Sequence, residues 1–195
     1  MSLRAPIVIG LAVIATLTFA GCSGKAASSA IRHLHPSATS ESETMDADYI
    51  GAGFTAIDTK VGASHYGLIQ VSINPSSLIM QVVDPNQPAN VDEYVYRRGT
   101  ATVDNPAPVD LTGSDPGALE QNTFQRTDLD PQVIAKVIGS APEQSGIDQA
   151  AATAVIITYP LVARPDDQPY IQVDVKGPRG HANPRYNLQG DKLDQ

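Results

Sequence analysis

The chain has 195 residues, 42% of them hydrophobic and 17% charged, enough for one or two small folded domains and too apolar for a disordered chain. A formal charge of -8, no Trp and few aromatics argue against nucleic acid as a partner and against electrostatic adsorption to anionic lipid. The single cysteine, Cys22, allows no internal disulfide.

In chain order, Arg4 and the amino terminus give a short positive start, and Ile7 to Ala20, "IVIGLAVIATLTFA", is uncharged and mostly apolar. As a helix this stretch spans about 21 Å, short of the roughly 30 Å hydrocarbon core. The length fits a secretory signal better than a spanning helix. Small residues Ala20 and Gly21 follow, then Cys22. From the residues alone, Cys22 could be a free thiol behind an ordinary signal or part of an uncleaved anchor. A catalytic thiol is disfavoured, because no packed site is expected around it in this part of the sequence.

"FAGC" (19–22) resembles the lipobox of bacterial lipoproteins with a type II signal peptide. The resemblance implies cleavage between Gly21 and Cys22, a diacylglycerol on the Cys22 sulfur and a new amine open to acylation. It implies a protein lipid-anchored to the cell membrane on its extracytoplasmic side. Phe19 departs from the usual Leu, and the resemblance covers only about the first 24 residues. More than one acyl chain makes such an anchor stable, which would hold an acidic protein on an anionic membrane. Removing residues 1–21 takes away one Arg and no acid, leaving 12 basic against 21 acidic residues.

Residues 22–44 read as the lipidated cysteine and a Ser/Ala/Thr-rich flexible tether. His33 and His35 stand at i, i+2 in it without the acids or thiols a metal site needs. From Met45 an apolar helical period begins at Tyr49, Ile50, Phe54, Ile57 and Val61, capped by Asp46 or Thr44 and stopped by Gly62. Gly51 and Gly53 weaken this helix or let it approach a sheet closely. Strand-like runs follow at 66–73, 77–84 and 92–103, with Asn74-Pro75 as a turn.

A second cycle begins with a short strand in "FQRTDL" (124–129). Asp130-Pro131 forms an N-cap and first helical position. A stripe of Val133, Ile134, Val137 and Ile138 follows, expected to end at Gly139 and Pro142. Strands are expected in 152–163, 169–177 and 185–190. Matching segments 76 or 77 residues apart suggest a tandem duplication: Ile57 over Ile134, Val61 over Ile138, Tyr94-Val95 over Tyr170-Ile171, and "DLTG" over "NLQG". The first strands need an offset nearer 84. The expectation is an α+β fold of two helix-plus-antiparallel-sheet units, 45–113 and 114–195, with two sheets side by side exposing a shared concave face.

No GxSxG, phosphate loop or HExxH occurs. His65 and His181 lie far apart in sequence. Asp46 and Asp130 have a simple explanation as helix caps, and Asp166 and Asp167 suit a hairpin loop. Arg97 and Arg98 should point to opposite faces of a strand, whereas Lys176, Arg179 and Arg185 should gather at one end of the second sheet. No catalytic residue, metal ligand or cofactor is expected. The expected role is a binding module for an envelope protein or surface component. The alternatives are a carrier of a lipid or other apolar ligand, with "SSLIMQVV" and "TAVIITYPLV" lining its cavity, and an envelope enzyme. The ligand-binding residues are not legible.

Overall fold

The computed structural model describes residues 44–111, 116–160 and 167–194. Cys22, Gly21, His33, His35 and Asp166 lie outside them. So does part of "DLTG", along with the signal peptide and nearly all of the tether.

The first helix, α1 (Ala47–Val61), starts where Asp46 accepts the Tyr49 N–H and ends at Gly62, whose φ of 78° suits glycine. Its buried stripe is Tyr49, Ile50, Gly53, Phe54 and Ile57. Strands β1 (Gly67–Ile73), β2 (Ser77–Val83) and β3 (Val91–Arg97) form an antiparallel meander. Two short strands, β4 (Thr102–Val103) and β5 (Ala107–Pro108), close its edge against β3. Their brevity and the proline blunt that edge against further pairing.

A short helix, α2 (Pro116–Gln121), and a two-residue strand, β6 (Phe124–Gln125), lead to α3 (Pro131–Ser145). Asp130 caps α3 by accepting the Gln132 N–H at 2.8 Å. Then come β7 (Ala151–Thr158), β8 (Tyr170–Gly177), β9 (Gly180–Ala182) and β10 (Arg185–Tyr186).

The fold is α+β, but the two expected sheets are one. Its strand order is β10-β8-β7-β1-β2-β3-β4, joined in the middle by β1 against β7. Both long helices pack on one face and touch each other. α1 lies over β3 and β4, and α3 over β7 and β8. One continuous core results, with Ile50, Phe54, Leu68, Met80, Ile134, Ile157 and Tyr186 among its fully buried side chains.

The offset of 77 is not the one that relates the two halves. The capping residues Asp46 and Asp130 lie 84 residues apart, as do the glycines that end the helices, Gly62 and Gly146. The same offset connects the two β-bulges, at Ile69 in β1 and Thr153 in β7. Ser72, paired with Ile156, faces the residue 84 positions further on, so a local two-fold axis passes through that pair. Tyr94 and Tyr170 are not equivalents, since one is in β3 and the other in β8. Tyr96 and Tyr186 occupy the matching places, opposite Leu78 and Ile171.

The expected end of α3 at Gly139 is also corrected. The helix runs on through Pro142 to Ser145 and stops at Gly146, φ 69°. Proline forfeits the bond its own nitrogen would make and crowds the Ile138 carbonyl, a cost confined here to the last turn of the helix. The Ser145 hydroxyl donates to the Pro142 carbonyl at 2.6 Å, satisfying one terminal acceptor. "RYNLQG" contributes only Arg185–Tyr186 to the sheet. Asn187 then folds the chain back, its side chain accepting the Gln189 and Asp191 N–H groups.

Candidate functional site

Strand alternation sends Val71, Ile73, Leu78, Met80, Val155, Ile157, Ile171 and Val173 into the helix-covered core. Their neighbours form the opposite face. One cross-strand row on that face runs Arg185, Gln172, Ile156, Ser72, Ile79 and Val95, each paired with the next. Except for exposed Arg185, all are half-buried. At the start of β1, the Thr123 and Val83 side chains both lie against Gly67, and Thr123 leaves no room for a Cβ there. Glycine there lets the segment from α2 to β6 lie close against the sheet. The apolar runs proposed as cavity walls thus divide by alternation, half into the core and half onto this face.

The face borders a cleft of about 1090 Å3 whose lining includes Tyr159, Tyr170, Gln172, Asn183 and Arg185. The Arg185 guanidinium lies 4.6 Å from the Tyr170 ring centroid, and its Nε donates to Gln172 Oε1 at 3.3 Å. Tyr159 stands 6.4 Å from the Phe124 ring. Asp128, Asp167 and Asp194 also line the cleft.

The three cations expected together at one end of the second sheet separate. Arg185 is paired with Gln172 near the start of β8, while Lys176 is near its end and Arg179 is in the turn beyond. A strand advances about 3.3 Å per residue, which keeps Arg185 well away from Lys176. Arg97 pairs with Asp104 at 2.8 Å, whereas Arg98 donates to the Thr44 carbonyl and stacks 4.4 Å from the Tyr49 ring centroid. Arg98 therefore fastens the start of the described chain to the sheet.

Sequence inspection missed the most interlocked polar cluster. Arg126 donates from Nε and Nη2 to the two Asp58 oxygens at 3.2 and 3.0 Å. Its guanidinium also lies 4.1 Å from the Phe54 ring centroid. The Tyr66 hydroxyl donates to Asp58 Oδ1 at 2.6 Å. Burial first, then the bond and charge of Asp58, push the Tyr66 hydroxyl far up, so it stays protonated. The carboxylate is saturated with donors and the cation is sandwiched, an arrangement suited to joining α1, β1 and the segment before α3.

His65 Nδ1 lies 3.1 Å from Ser64 Oγ on an exposed turn, and among the described residues no carboxylate orients the imidazole as nucleophilic catalysis requires. Among the described residues no group of three or more His, Cys, Asp or Glu is placed to hold a metal, and no helix is long and apolar enough to cross a membrane. Comparison with protein-family models, curated proteins and solved structures finds no match.

Proposed function

We propose that the chain is a membrane-anchored binding module of a bacterial envelope, lipidated on Cys22 and tethered by residues 22–44. Its open sheet face and the adjoining cleft bind an envelope protein or surface component without catalysis. The anchor rests on "FAGC" and the apolar run before it. The observation that carries the binding role is that, among the described elements, both long helices cover one face of the sheet, while the other presents half-buried Ile79, Val95 and Ile156 among Ser72 and Gln172. Apolar side chains interspersed with amides and hydroxyls give a surface that can be desolvated at its centre and still satisfy polar partners. The halves, with their shared caps and bulges, are proposed to descend from one duplicated unit.

Photo-crosslinking in native membranes tests the face. A photoreactive residue in place of Ile79 or Val95 should yield a discrete adduct that one at exposed Thr55 on α1 does not. Identical patterns from all three positions would remove the face from consideration. Separately, Cys22→Ala should move the protein from the membrane to the soluble fraction and abolish metabolic labelling with an alkyne fatty acid. Unchanged membrane partition would refute lipid anchoring.

A further inference from the structure

We infer that the β8–β9 hairpin docks on the anionic lipid headgroups of the membrane and so fixes how the domain stands there. This rests on the lipid-anchor reading and names the surface that meets the bilayer. The chain from Cys22 enters the fold at Thr44, whose carbonyl accepts from Arg98 Nη1 at 2.7 Å. The same nitrogen donates to the Pro75 carbonyl at 3.4 Å, which pins the entry point beside the β1–β2 turn. Ile73, the last residue of β1, is paired with Val155, and Val155 with Val173. From that level β8 continues to Gly177, about 13 Å further at about 3.3 Å per residue. The turn Pro178-Arg179 stands beyond it. At the end of the sheet where the chain enters, the hairpin thus projects past β1 and β2. Cys22 precedes Thr44 by 22 residues, and a tether of that length has a root-mean-square span of about 25 Å. The hairpin is therefore within reach of the membrane that would hold Cys22.

The hairpin holds cations outward on a firm support. Lys176, Pro178, Arg179 and His181 are exposed, and His181 is the cross-strand partner of Lys176. The ion pairs among the described residues are Arg97–Asp104 and Arg126–Asp58, and neither Lys176 nor Arg179 takes part in one. Ile147 packs beneath, its Cγ2 2.7 Å from the Cβ position at Gly177 and its Cδ1 3.6 Å from that at Gly180. The two glycines admit this loop against the hairpin, which then presents its cations without a further ordering cost. Of the acids beside it, Asp174 stands two residues before Lys176 and accepts from Gln172 Nε2 at 3.3 Å. Asp148 lies in the supporting loop, its carbonyl against Gly177, and Glu143 belongs to the last turn of α3. Charges beyond about 8 Å are screened at physiological ionic strength. The net charge of -8, which opposes adsorption of the whole surface, therefore does not decide the contact of one projecting tip. With the anchor supplying attachment, the two cations need only bias orientation. Docked in this way, the open face of the sheet looks along the membrane, and the start of β8 lies on the side away from lipid.

Vesicles carrying the lipidated full chain test the inference. With Cys22 acylated, Pro178→Cys supplies the one thiol for an environment-sensitive fluorophore. Its emission should shift to the blue on phosphatidylcholine vesicles containing phosphatidylglycerol, and should not on phosphatidylcholine alone. The same label at exposed Gln87, in the loop between β2 and β3 at the opposite end of the strands, should report no difference. Lys176→Gln together with Arg179→Gln should lower the ratio of docked to free hairpin about 25-fold, at about fivefold per cation. Millimolar inorganic phosphate should not displace the hairpin. Should the label disturb the turn, hydrogen exchange of residues 176–181 in the unlabelled chain should be slower on the phosphatidylglycerol vesicles. Equal behaviour on both vesicles, an undiminished shift in the double variant, or displacement by inorganic phosphate overturns the docking. Co-sedimentation of the same samples separates this from failure of the anchor. Protein that pellets with the vesicles without any shift removes the docking alone, whereas protein left in the supernatant removes lipid anchoring and the docking with it.

Discussion

At Asp46 a single carboxylate decides where α1 begins. It accepts the Tyr49 N–H at 2.8 Å and the Thr44 hydroxyl at 2.9 Å. Those two bonds, the backbone one foremost, outweigh desolvation and hold its pKa below the ordinary 3.8. A carboxyl whose pKa is lower folded than unfolded stabilises the fold above its unfolded value. That contribution fades as pH falls through the folded one. Asp46→Ala should therefore cost about 1 kcal/mol near neutral pH. The gap to the parent protein should narrow below about pH 4, as measured by urea denaturation across pH. A constant gap would mean that charge plays no part in the cap. This residue was legible in the sequence, because a cap and its helix are neighbours. The Asp58–Arg126 pair was not, since its members lie 68 positions apart and only the assembled sheet brings them together.

At the scale of elements, the two long helices end alike and for the same reason. Gly62 and Gly146 sit at φ 78° and 69°, and a Cβ on either would meet no atom within 4 Å. Strain in the backbone, and not crowding, is what alanine would introduce. Gly62→Ala and Gly146→Ala should each lower stability by about 1 kcal/mol, equally within error, in parallel chemical denaturations. A markedly unequal loss would show that the two ends are not the same motif. Gly53 differs, since its Cβ would fall 3.0 Å from Leu78 Cδ1 and 3.1 Å from Tyr96 Cδ1, and its role is close approach of helix to sheet. Alternation announced β1, β2 and β8 because one face of each is buried. The helical period announced α1 for the same reason. Gly139 and Pro142 read as stop signals, yet Gly139 sits at an exposed helical position and Pro142 forfeits one bond near the end. α2 has six residues and no apolar period, so nothing marked it. The 77-residue offset followed matching letters. The 84-residue spacing shows in caps and bulges, where backbone geometry restricts the choice. Side chains at matching positions, Phe54 and Ile138 in the core and Ser72 and Ile156 on the opposite face, differ in volume and polarity.

At the scale of the whole molecule, the halves share too much to unfold apart. Val71 and Ile73 of β1 pair with Ile157 and Val155 of β7 across the local two-fold axis, and both residues of each pair are fully buried. The helices meet above that seam, where Pro131 comes within 4.0 Å of the Cβ position at Gly51. The Asp58–Arg126 pair bridges the halves, with side chains only 22% and 13% exposed. Separating one half would bare its side of the seam and strand the Asp58 charge. Neither half could recover those losses alone, because a unit of about 70 residues has a thin core. Heating should consequently give one transition, coincident by far-UV circular dichroism and tyrosine fluorescence. Arg126→Met keeps an apolar stem against Phe54 and removes the charge. It should cost about 2 kcal/mol and lower that single midpoint by roughly 4–8 °C. Two resolved transitions, in the parent or in the variant, would mean that β1 and β7 merely abut. Cooperativity retained through a weakened bridge is the behaviour of one body, whose halves are held by the β1–β7 seam as well as by the Asp58–Arg126 pair.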